Sequence, residues 1–128
     1  MSKGNPETPD NLVNIESGRN ELPPEIIEDC QKWLGYLLMQ PDFQVQHSNP
    51  GVYIREQCDV DNEDKQAKDT WTKAGMELIK KKYILAEKSN PDSRPDIFRV
   101  NVPLLARGSD EPYITREFIN LVRKNPAA

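Results

Sequence analysis

Met76-Glu77-Leu78-Ile79-Lys80-Lys81-Lys82-Tyr83-Ile84-Leu85-Ala86-Glu87-Lys88-Ser89-Asn90-Pro91-Asp92-Ser93-Arg94-Pro95-Asp96-Ile97-Phe98-Arg99-Val100-Asn101-Val102 is the stretch on which the fold turns. It opens as the end of an amphipathic helix, closed by three lysines that complement the negative end of a helix dipole. Tyr83–Lys88 then reads as one strand and Ile97–Val102 as another. The polar tip between them, Ser89 to Pro95, makes the pair a hairpin. Pro103 stops the second strand.

Upstream, Ala67, Trp71, Ala74, Gly75, Leu78 and Ile79 recur at helical spacing, which predicts a helix from about Asn62 to Lys82. The acidic run Asp59 to Asp64 supplies its N-terminus. Before that run, Phe43–His47 alternates like a strand, Asn49-Pro50-Gly51 has the proline and glycine of a type II turn, and Val52–Arg55 follows. This predicts a first hairpin with Phe43, Val45, Val52 and Ile54 on its apolar face. Ile26, Ile27, Cys30, Trp33, Leu34, Leu37 and Leu38 place another helix from about Pro24 to Gln40, with the prolines at its first turn. At the other end, Ser109-Asp110-Glu111-Pro112 opens a last helix with the stripe Ile114, Phe118, Leu121 and Val122. The expected order is helix-hairpin-helix-hairpin-helix, an α+β domain spanning 21–125. Residues 1–20 carry little apolar content besides Leu12, Val13 and Ile15 and read as a flexible tail.

With 128 residues, 36% of them hydrophobic and 30% charged, the chain suffices for one core. Its apolar runs fall far short of the roughly 20 residues of a membrane span, and its first residues lack a signal-peptide pattern; a cytoplasmic protein without membrane contact is expected. Two cysteines and no Asn-x-Ser/Thr sequon argue against a disulfide-stapled secreted scaffold. The formal charge of −4 conceals a split: residues 1–64 hold 4 basic and 13 acidic side chains, whereas residues 65–128 hold 13 and 8, giving −9 and +5. Such asymmetry points to a polyanion or acidic partner for the second half, or to contact between opposite halves in a homodimer.

Residues of catalytic type do not assemble into a recognisable constellation. His47 is the one histidine, Cys30 lies on an apolar stripe, and neither a Gly-x-Ser-x-Gly elbow nor a glycine-rich phosphate loop occurs. The carboxylates of Glu28 and Asp29, and of Asp59, Asp61, Glu63 and Asp64, read as solvated faces and helix-start charge. A metal-dependent hydrolase built on the second group is the least favoured class. No enzyme activity and no cofactor are expected.

The helix end, the hairpin and its Pro91-Asp92-Ser93-Arg94 tip resemble the recognition helix and wing of winged-helix domains. They come nearest to the multiple-antibiotic-resistance regulator family, whose wing carries a proline-aspartate-x-arginine tip. Pro91, Asp92 and Arg94 match it residue by residue, over less than a quarter of the chain. The resemblance implies a winged-helix-like fold, with a helix laid in the major groove of double-stranded DNA and a basic hairpin against the neighbouring backbone. It also implies a short helix just before the recognition helix, where the sequence reads as hairpin and acidic loop unless the long helix breaks near Lys68-Asp69-Thr70.

Without the family, centring Trp71 on the buried face leaves Gln66, Asp69, Lys73, Met76 and Lys80 exposed. Lys73 and Lys80, with Lys88, Arg94 and Arg99, are the candidate phosphate contacts. Asp69 before Lys73 and Glu77 before Lys81 have the ordinary spacing of stabilising surface pairs, at about 0.2–0.5 kcal/mol each. The leading expectation is a small DNA-binding transcriptional regulator. Its rival is an adaptor or assembly subunit that uses the same fold to bind a protein.

Overall fold

The computed structural model describes residues 22–60 and 63–124. Among them the order is α1 (Pro24–Leu38), a single 3-10 turn (Pro41–Phe43), β1 (Gln44–Gln46), α2 (Pro50–Gln57), α3 (Lys65–Lys80), β2 (Ile84–Glu87), β3 (Ile97–Val100), α4 (Val102–Ala106) and α5 (Arg116–Lys124). This is an α+β arrangement of five α-helices and one three-stranded antiparallel sheet. The segment read as a tail, residues 1–20, lies outside the described residues.

The hairpin that decided the sequence reading is present: β2 pairs with β3, Ile84 opposite Val100 and Glu87 opposite Ile97. The first hairpin is not. β1 instead pairs with the other edge of β3, Val45 opposite Phe98, so the sheet order is β1-β3-β2. Val52–Arg55 is helical, part of α2. Pro50, which fits the turn reading, equally fits the first position of a helix, because its fixed φ suits both and its missing N–H has no partner in a first turn. The Asn49 side chain accepts from Val52 N and Ile54 is driven completely into the core. Alternation across so few residues did not separate strand from helix.

Other boundaries shift for local reasons. α3 is unbroken and starts at Lys65, because the Asp64 carboxylate caps it by accepting from Gln66 N at 2.9 Å and Ala67 N at 3.2 Å. It ends in a Schellman motif in which Tyr83 N donates to Leu78 O and Lys82 N to Ile79 O. Lys82 takes the left-handed φ of +72° there. Pro103, read as a stop, lies in the first turn of the short α4. α5 starts only at Arg116; the Thr115 hydroxyl accepts from Phe118 N at 3.1 Å, and Ser109–Ile114 forms the approach.

α1 and α3 cross at the centre. Cys30 Sγ donates to Ala74 O at 3.6 Å and Trp33 Nε1 to Trp71 O at 3.2 Å. Trp33 comes so near α3 that a Cβ on Gly75 would stand 2.6 Å from the indole, so this crossing requires glycine. Leu34, Leu37, Ile54, Leu78, Ile84, Val100, Leu105, Tyr113 and Val122 fill the core, each contributing on the order of 1.5–3 kcal/mol if apolar and fully removed from water. Phe118 and Leu121 of the last helix's apolar stripe, and Phe98 of β3, are partly buried and pack at its edge.

Candidate functional site

The two indoles of the crossing do more than fill space. Trp33 and Trp71 stack with ring centroids 5.0 Å apart and planes inclined by 20°, and Phe98 of β3 lies 5.7 Å from Trp33. Trp71 Nε1 donates to Gly51 O at 3.2 Å, which ties the start of α2 to α3. These rings form the floor of a cleft of about 390 Å³ between the N-terminus of α2, the exposed side of α3 and the hairpin. Val52, Met76 and Ile79 line its walls on the helical side, and Ala86, Pro95 and Arg94 line the hairpin side. Met76 stands 64% exposed at the rim. The surface between helix and hairpin is therefore an open apolar trough with two described guanidinium groups at its edges, that of Arg94 on the hairpin wall and that of Arg55 on the helical wall.

The five candidate cations do not share that trough. Alternation along β3 puts Phe98 and Val100 toward the core and Arg99 on the outer face of the sheet, opposite Leu85 and Gln44 in register. Arg99 is bound there by Glu87, whose hydrogen bond raises the guanidinium pKa. Lys73 forms an ion pair at 3.1 Å with Asp69, one turn back on α3. Lys80 and Lys88 are exposed, at the end of α3 and just after β2. Only Arg94 of the five lines the cleft.

Residues that read as bare surface or spare chemistry have defined local tasks. His47 Nδ1 accepts from Asn49 N at 3.1 Å and its ring stacks on Tyr53, centroids 4.6 Å apart, so it shapes the turn into α2. Burial pushes the Cys30 thiol up to about 12, which makes it inert as a nucleophile. Asp29 is half-buried rather than solvated, and burial raises its carboxyl above the ordinary value, against the opposing pull of Lys32. Among the described residues no group of three or more metal-binding side chains converges. No described helix is long and apolar enough to cross a membrane.

Sequence reasoning placed Met76 on the exposed face of α3 and Trp71 on the buried one, yet did not see the trough. A large apolar side chain opposite the buried stripe was the available signal. Its meaning depended on where Val52 and Pro95 fold to. No protein-family model, no curated protein and no solved structure matches the chain.

Proposed function

We propose that the described residues form a winged-helix-like domain whose helix–hairpin surface serves as a protein-docking site, making this chain an adaptor or assembly subunit. The order helix, strand, two helices, hairpin, with the first strand added to the outer edge of the second hairpin strand, supports the winged-helix reading. In that reading α2 is the short helix before the recognition helix, α3 the recognition helix and β2–β3 the wing.

The observation that carries the docking reading is the apolar trough itself. A helix entering a major groove meets base edges and phosphates, which reward donors and cations. Here the corresponding surface offers Met76, Ile79, Val52 and Pro95 over two indoles, the composition of a pocket for an apolar anchor. Asp69 and Glu87 meanwhile neutralise two of the five cations that DNA would need.

A second reading, sequence-directed DNA binding in transcription regulation, draws support from the α2–α3 pair and from Lys80, Lys88 and Arg94, which are exposed and form no ion pair with a described residue. One comparison separates the two. Peptides selected against the full chain from a displayed random library should carry apolar anchors and lose at least about tenfold in affinity with Met76→Asp, the value of roughly one lost apolar contact. Duplex DNA at low salt should not bind. Salt-dependent DNA binding that is abolished by Lys80→Ala with Arg94→Ala, and indifferent to Met76→Asp, overturns the docking reading.

A further inference from the structure

Resting on the docking reading of the trough, we propose that its occupant is carried by this chain: the segment Asp10-Asn11-Leu12-Val13-Asn14-Ile15-Glu16 docks there in cis and competes with any outside partner. Three observations converge on it. Leu12, Val13 and Ile15 are the apolar cluster of the 21 residues that precede the described domain, and the trough has unfilled room for aliphatic side chains over Trp33 and Trp71. Asp10 and Glu16 flank that cluster, and the trough carries the exposed Arg94 at the edge of its hairpin wall. Opposite charges at the edges of an apolar contact set its register and orientation.

Reach is sufficient. Ile15 precedes Leu22, whose side chain packs on the core, by seven residues, or about 23 Å of extended chain. Along α1, Trp33 in the trough floor lies nine residues beyond Pro24, or about 14 Å. A short link of this kind gives an effective concentration of about 1 mM, so a segment that binds in trans at about 100 µM is docked in roughly nine molecules of ten.

The chain's two tryptophans both lie in the trough, so intrinsic fluorescence reports its occupancy. The test uses a synthetic peptide of residues 8–18, which contains no aromatic side chain, against two full-length proteins: the unaltered chain and Leu12→Asp/Val13→Asp/Ile15→Asp. The substitutions fall outside the described core. The peptide should bind the triple variant about tenfold more tightly than the unaltered chain, because there the attached copy no longer competes. Adding Met76→Asp to the triple variant should abolish that binding. Equal affinity for both proteins overturns the proposal. If library-selected peptides bind both equally while the 8–18 peptide binds neither, the cis occupant is wrong and the docking site stands. If no peptide of either kind binds, both readings fall. Fluorescence of the unaltered chain that changes with its own concentration assigns the trough to a second copy and also overturns docking in cis.

Discussion

α3 has two flanks of opposite character. Toward the hairpin it leaves Met76 and Ile79 beside two indoles in a trough open to water. Toward the Ser109–Tyr113 segment between α4 and α5 its polar side chains find partners. The Tyr113 hydroxyl, on a side chain with no exposed surface, donates to Glu77 at 3.0 Å; Lys81 bridges Glu111 at 2.9 Å and Glu77 at 3.6 Å; and Tyr83 donates to Ser109 at 2.6 Å, its ring edge-on to Tyr113 at 6.1 Å. Buried polar groups are costly unless paired, and the hydroxyls of the buried Tyr113 and Tyr83 are paired. One flank is closed by its own side chains and the other stands open to water.

The sharpest way to stress the closed flank is alkali. Burial holds both Tyr113 and Cys30 in their neutral forms, the phenol well above its usual range and the thiol at about 12 rather than 9.0. Above pH 9.0 the unfolded chain releases protons that the folded chain retains, so this contribution is complete below 9.0 and is lost as pH rises toward 12. The urea midpoint should fall steeply over that window. A flat midpoint would show that burial does not govern these groups.

Next in size is the crossing that floors the trough. Gly75→Ala in an ordinary helix interior would stabilise by about 1 kcal/mol. Here the added methyl meets Trp33 at 2.6 Å, and overpacking of about 1–3 kcal/mol should outweigh that gain, with a red-shifted tryptophan emission. A net stabilisation would mean that the indole stack yields easily. Tyr113→Phe should cost about 1–2 kcal/mol by leaving the Glu77 carboxylate one donor short, as measured by equilibrium unfolding. Lys82→Gly, at a φ of +72°, should stabilise by about 0.5–1 kcal/mol. Smallest is Met76→Ser on the open flank, within about 0.5 kcal/mol of no change in stability when made in the Leu12→Asp/Val13→Asp/Ile15→Asp background, where no attached segment covers it. A large loss there would make Met76 part of the core and remove the contrast between the flanks.

How far the sequence was legible depended on the range of the deciding interaction. The stripe from Ala67 to Ile79 and the polar hairpin tip are local signals, and α3, β2 and β3 appear where they were expected. The segment Val52–Arg55 failed because strand and helix both put Ile54 indoors; the choice was made by β3, whose outer edge took β1, and by Trp71, whose indole holds Gly51. The site was less legible still. Lys73, Lys80, Lys88, Arg94 and Arg99 were grouped by charge, but strand alternation sends Arg99 to the far side of the sheet.

Composition and periodicity by themselves determined that this chain builds one α+β core around its tryptophans and distributes its charge unevenly. They did so because burying an amphipathic stripe is a property of each helix, independent of what it packs against. Which surface stays apolar and open was decided only in three dimensions. The trough exists because Gly75 admits Trp33 to α3, the N-terminus of α2 closes one side, and the hairpin stands off on the other. A cavity belongs to the relative placement of elements far apart in sequence, and no single segment contains it.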